Sequence, residues 1–173
     1  MILQMGCEAV DNQNQNRVYV TMMVDALKKK ENVLTFLLEK TREQEMLLRS
    51  DELDEDEFSE TIEEKGNGLD DLNQIDEGFD ALFKMVKQEM TSHREQYRSQ
   101  IKEMQTLIGR ISDLGVQIQA LEQQNSERFK IYLSNKRKEI REFHVNNRTA
   151  TSYYQNMANV HTPDQSYFFD EQK

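Results

Sequence analysis

The stretch Phe58–Met90, FSETIEEKGNGLDDLNQIDEGFDALFKMVKQEM, decides the fold. Phe58, Ile62, Lys65, Leu69, Leu72, Asp76, Phe79, Phe83, Val86 and Met90 follow one another at alternating steps of four and three over more than four heptads. That alternation keeps the same stripe of a helix turned toward a partner helix, whereas a strand would alternate every second residue. The spacing therefore predicts one long amphipathic helix with two polar residues, Lys65 and Asp76, set into its seam as register-fixing breaks. Gly66-Asn67-Gly68 interrupts it, and each glycine costs about 1 kcal/mol against alanine in a helix interior. The seam keeps its phase across the glycines, from Ile62 through Lys65 to Leu69, which predicts one bent helix and not two.

Upstream, Val20, Met23, Leu27, Leu34, Leu37, Thr41 and Leu48 recur at steps of three, four or seven and predict a first helix over about 18–50. Ser50, Asp51 and Asp54 end that helix and cap the next, with Glu57 three residues after Asp54 as a capping box prefers. Downstream of Met90 the stripe slips by one residue to Tyr97, Ile101, Met104, Ile108 and Ile111. A slip of phase marks a stutter or a turn. Thr91-Ser92 with Glu95 favours a tight turn into a third helix over about 92–145, whose stripe continues through Leu114, Ile118, Leu121, Phe129, Leu133, Ile140 and Phe143. Residues 1–17, ending in DNQNQN, read as a disordered extension, 18–145 as a helical domain, and 146–173 as a flexible tail that carries Tyr153, Tyr154, Met157, Tyr167, Phe168 and Phe169. The fold class is all-α: three long antiparallel amphipathic helices, a helical bundle or coiled-coil hairpin, with a disordered C-terminal tail.

Composition agrees with this class and bounds the function. With 6 Gly, 1 Pro, no Trp and 31% charged residues among 173, the chain fills one narrow apolar seam and not a thick two-layer core. A single cysteine, Cys7, leaves no internal disulfide and predicts a reducing, cytoplasmic setting. No run approaches the roughly 20 apolar residues that span a bilayer, so no membrane insertion is expected. Net charge is −10, with fourteen acids and one base over 51–80, and seven bases against two acids over 128–148. An acidic chain with one short basic stretch is a poor nucleic-acid partner, because phosphate binding needs accumulated positive surface.

No catalytic, cofactor-binding or metal site emerges. His93, His144 and His161 have no Cys or His at ligand spacing, and Glu142 stands two residues before His144, not three as in di-iron bundles. The acidic run from Asp51 lacks the glycine and glutamate of a calcium loop, its sixth and twelfth places being Asp56 and Ile62. Gly66-x-Gly68 is followed by Asp71 where a dinucleotide fingerprint needs a third small residue. Binding without catalysis is the expectation.

Helix lengths point to a surface. At about 1.5 Å per residue the first two helices span roughly 50–55 Å and the third about 80 Å. Folding back at Thr91 would cover the third helix only to about Arg128. Its last turns, with Phe129, Tyr132, Leu133, Ile140 and Phe143, would then present an uncovered apolar strip that a partner helix, a second copy in a homodimer, or the tail with Phe168 and Phe169 would bury.

The order of features resembles the FlgN-type flagellar export chaperones: a first helix, the acidic junction SDELDEDEF, the Lys-containing stretch IEEKGNGLDDL, a long helix with Asn125 in its second half, and a tail ending SYFFDEQK. The likeness covers about 18–173. It implies a cytosolic protein that binds amphipathic terminal helices of flagellar hook-filament junction proteins, prevents premature assembly, and delivers them to export apparatus components, with client contacts in the C-terminal portion. A FliT-like filament-cap chaperone, a dimeric coiled-coil scaffold and a small helical enzyme remain alternatives.

Overall fold

Asp54 marks the start of the central helix as a cap should: its Oδ1 accepts the Glu57 N–H at 3.0 Å, satisfying a donor that has no partner within the helix. In the computed structural model, which describes residues 2–50, 52–136 and 153, with side chains from Gln13 onward, the chain forms α1 (Ile2–Arg49), α2 (Glu55–Ser92) and α3 (Arg98–Lys136). The described residues contain no strand. The protein is all-α. The expected helix end at Val145 and the tail 146–173, Tyr153 apart, lie outside the described residues.

Two boundaries differ from the sequence reading. α1 begins at Ile2 and not near residue 18, so the extension expected to be disordered is helical. DNQNQN holds neither proline nor glycine, and a helix already nucleated by packed residues such as Val20 and Met23 is prolonged at little cost per residue. Gln13 on this added stretch donates its side-chain amide to Gln96 at 3.1 Å. α3 begins at Arg98 and not at Ser92, because residues 93–97 form the turn. There the Gln96 N–H bonds His93 O, the Tyr97 N–H bonds Arg94 O, and the Ile101 N–H bonds Tyr97 O as α3 opens. The Thr91 hydroxyl points back to Lys87 O at 2.8 Å and does not cap forward. Burial of Tyr97, 1% exposed, fixes where the turn ends. That burial, followed by the Glu89 carboxylate 3.5 Å from its hydroxyl, raises the phenol above its ordinary range. α2 runs unbroken through Gly66-Asn67-Gly68.

The chain divides into two compact units, each built from all three helices. The first comprises Met1–Thr35 and Gly68–Leu114. Its core is Val20, Met23, Val24, Leu27 and Leu34 from α1, Leu69, Leu72 and Val86 from α2, and Met104, Leu107 and Ile111 from α3, closed by Tyr97. One polar layer crosses it: buried Lys30 donates to both oxygens of Asp76, at 2.6 and 2.8 Å. Asp76 is the seam break expected from sequence, and Lys30 fills the place the α1 pattern skips between Leu27 and Leu34. Lys28 to Glu103 at 2.8 Å and Glu31 to Arg110 at 3.2 Å lie on the rim and show α1 and α3 running the same way. Exposed pairs of this kind contribute about 0–1 kcal/mol each.

The second unit comprises Phe36–Asn67 and Gly115–Lys173. Within it α2 opposes both neighbours in strict register. Glu55, Phe58 and Lys65 face Tyr132, Phe129 and Glu122, so steps of three and seven along one helix are matched by equal steps back along the other. At the end of α2 near the junction, Leu53, Phe58, Ile62 and Phe129 form a buried cluster against which Leu47, Leu48, Tyr132 and Leu133 pack. This overturns the first part of the uncovered strip, Phe129 to Leu133: α3 is covered to Leu133 and not merely to Arg128, while Ile140 and Phe143 lie outside the described residues. The physical reason is the turn. Residues 93–97 take up chain that the sequence reading gave to α3, which slides α3 about one and a half turns along α2.

Candidate functional site: a buried polar layer

Four of the seam positions in the second unit carry polar groups where apolar ones are the rule: Thr41 and Gln44 on α1, Lys65 on α2, and Asn125 on α3, all at 0% exposure, with Glu122 on α3 at 5%. The three- and four-residue steps from Leu37 to Thr41 to Gln44, and from Ile118 to Glu122 to Asn125, place them on the faces that the helices turn toward Lys65. Buried polar atoms cost free energy unless they bond one another.

Lys65 sits at the centre. Its Nζ donates to Gln44 Oε1 at 2.5 Å and is ion-paired with Glu122 Oε1. The ring of Tyr153 lies over the same nitrogen, 4.3 Å from Nζ to the centroid, and the Tyr153 hydroxyl donates to Glu122 Oε1 at 3.3 Å. Thr41 Oγ1 lies 2.9 Å from that oxygen and 2.7 Å from Leu37 O, so its one proton is shared between two acceptors. Asn125 Nδ2 donates to Thr41 O at 2.8 Å, tying α3 to the α1 main chain, and its Oδ1 accepts from Arg128 at 3.3 Å. Among the described residues, Gln44 Nε2 and Glu122 Oε2 are buried with no hydrogen-bond partner.

Burial pushes the Lys65 ammonium down to about 8, and the charge of Glu122 with its hydrogen bond opposes that fall. A buried lysine paired with one carboxylate and stacked on an aromatic face keeps its charge near neutral pH, and a positive group there fixes which faces of three helices meet. A change of register by one heptad would leave Lys65 and Glu122 each alone in an apolar seam.

Of the partner-binding residues expected from sequence, Phe129 is 5% exposed and stacked on Phe58, centroids 5.2 Å apart. Tyr132 stacks at 6.3 Å on Phe129 and donates its hydroxyl to Glu55 at 3.1 Å; burial, then that carboxylate, pushes its phenol up to about 12. Leu133 packs on the same cluster. These three hold the helices together. Ile140, Phe143, Phe168 and Phe169 lie outside the described residues. Glu122, Gln44 and Tyr153 escaped the sequence reading as site residues. For Gln44 and Glu122 the signal, a polar residue at a heptad seam position opposite another one, emerges only once the helices are aligned.

Among the described residues no group of three or more His, Cys, Asp or Glu is placed to hold a metal ion, and no helix is long and apolar enough to cross a membrane. Comparison with family models, with curated proteins and with solved structures finds no match to this chain.

Proposed function

We propose that the chain is a cytosolic export chaperone of the bacterial flagellum, similar to FlgN, and not an enzyme. It binds amphipathic helices of hook-filament junction proteins before export, keeps them from assembling early and hands them to the export apparatus. One observation supports the reading above others. Two features of the helical region by which the sequence resembles that family, the lysine of IEEKGNGLDDL and the asparagine of the third helix, belong to one buried network, in which Lys65 pairs with Glu122 and Asn125 bonds the main-chain carbonyl of Thr41, whose hydroxyl meets Glu122. Residues that define a likeness by sequence thus share one structural task.

The client surface is assigned to the apolar residues beyond Lys136, namely Ile140, Phe143, Phe168 and Phe169, since Phe129 and Leu133 are engaged within the bundle. An amphipathic client helix would bury its apolar stripe there, with basic residues from Lys136 to Arg141 attracting an acidic flank. The test is co-elution of the full chain with purified C-terminal segments of hook-filament junction proteins, beside filament-cap segments as a second arm. A complex with junction segments supports the proposal, a complex with cap segments alone reassigns the client to the FliT-like class, and no complex with either removes the chaperone reading.

A further inference from the structure

Asn67-Gly68 is the one Asn-Gly pair in the sequence, and it lies inside α2 with a second glycine, Gly66, before it. In an opened helix such a pair reacts with itself. The Gly68 main-chain nitrogen attacks Cγ of the Asn67 side chain, the N–Cγ bond forms, the Cγ–Nδ2 bond breaks, and ammonia leaves with the proton that the nitrogen has lost. Water then opens the cyclic imide. Opening at Cγ gives aspartate, and opening at the main-chain carbonyl gives isoaspartate, with an extra methylene in the backbone. Glycine favours the closure because it has no Cβ to obstruct the approach. The closed helix blocks the first step: its bonding pattern gives the Gly68 N–H to Glu64 O, four residues back, and holds Asn67 at helical angles in which the five-membered ring does not close.

The surroundings decide both when the pair reacts and what the reaction does. Gly66 and Gly68 lower helix propensity on either side of Asn67, which is exposed, so the interior of α2 opens most readily here. The residues that hold it closed flank the stretch: Lys65, 0% exposed and paired with Glu122, and Leu69, 7% exposed. On the helix surface the neighbours of position 67, three and four residues away, are Glu63, Glu64, Asp70 and Asp71, all carboxylates. Of these four, Glu64 alone is ion-paired among the described residues, with Lys40 at 2.6 Å. A new carboxylate at 67 would meet like charges at every one of these helical spacings, which opposes the helix, and the methylene of isoaspartate would shift the backbone bonds out of register. We propose that Asn67 is a self-modifying site gated by α2: it converts to aspartate or isoaspartate only while the helix is open at residues 66–68, and the product weakens the helix that had protected it. The inference needs no partner and stands apart from the chaperone reading.

The full chain is incubated in mildly alkaline buffer with and without urea, and the tryptic peptide beginning at Gly66 is followed by fragment mass and by isoaspartate methyltransferase labelling. Asn73, in the same peptide and followed by Gln74, is the internal standard and stays unconverted while Asn67 reacts. Conversion of Asn67 is at least about tenfold faster in urea than in buffer, because the reaction follows the open population. Gly66→Ala, whose added Cβ meets nothing within 4 Å, slows the reaction in buffer and leaves it unchanged in urea. Asn67→Asp, which supplies the product's charge without the reaction, lowers the urea midpoint of the chain. Equal rates in buffer and urea, a buffer rate that Gly66→Ala fails to lower, conversion of Asn73 as fast as that of Asn67, or an unchanged midpoint in Asn67→Asp overturns the proposal.

Discussion

At Lys65, two costs compete. Enclosing an ammonium is expensive, and the Glu122 carboxylate, the Gln44 carbonyl and the Tyr153 ring offset that cost together. Removing the cation alone is accordingly worse than removing the pair. Lys65→Met leaves Glu122 buried without a counter-charge and should destabilise by about 3–5 kcal/mol in urea unfolding, while Lys65→Met combined with Glu122→Leu should be less destabilised than Lys65→Met alone. The pH dependence has a definite sign. Lys65 is depressed to about 8 in the folded chain against 10.5 as its ordinary value. Between those values the unfolded chain holds more protons, so stability rises with pH. Relative to the double variant, the unaltered chain should gain on the order of 3 kcal/mol from pH 8 to 10.5 and nothing from this residue below pH 8. A falling difference over that window would show that the pair, and not burial, dominates. Lys65 was legible in the sequence as a polar break in an apolar seam. Its partners were not, because Gln44 and Glu122 carry no mark that separates a seam residue from a solvent-facing one until the helices are aligned.

The three helices themselves were legible because their stripes repeat over many turns. Every α1 position expected in the core from Val20 to Thr41 is buried, and α2 starts where Asp54 caps it. What the sequence did not carry was the length of α1 at its start and of the turn, since a polar run such as DNQNQN has no apolar stripe to mark it as helix and only the burial of Tyr97 sets where α3 opens. That turn fixes the register, and the register places Phe129 in the core. Phe129→Ala should therefore cost about 3–5 kcal/mol and lower the melting temperature, as measured by circular dichroism at 222 nm. Loss of client binding with an unchanged melting temperature would contradict the Phe58–Phe129 contact. Gly66 has the opposite expectation. A Cβ built there meets nothing within 4 Å, so Gly66→Ala should stabilise α2 by up to about 1 kcal/mol, read as a higher urea midpoint.

Over the whole molecule, fold and proposed function separate along the chain. Among the described residues the packed core and the polar layer draw on positions up to Leu133, together with Tyr153, whereas the apolar groups assigned to the client stand at Ile140, Phe143, Phe168 and Phe169. A chain ended after residue 160 keeps every core residue among the described ones, Tyr153 included, and loses Phe168 and Phe169 with the other residues of 161–173. Removing residues outside the described core is expected to change stability by about 0.5 kcal/mol or less, which is about 2 °C or less in melting temperature for a chain of this size. Burial of a phenylalanine against a partner contributes about 1.5–3 kcal/mol, and 1.4 kcal/mol is a factor of ten in affinity. The shortened chain should consequently melt with the full one and bind a hook-filament junction segment at least about tenfold more weakly by isothermal titration calorimetry. Equal affinity would move the client surface off Phe168 and Phe169. A drop of several degrees in melting temperature would instead make residues 161–173 part of the fold, and the separation of core from client surface would fail with it.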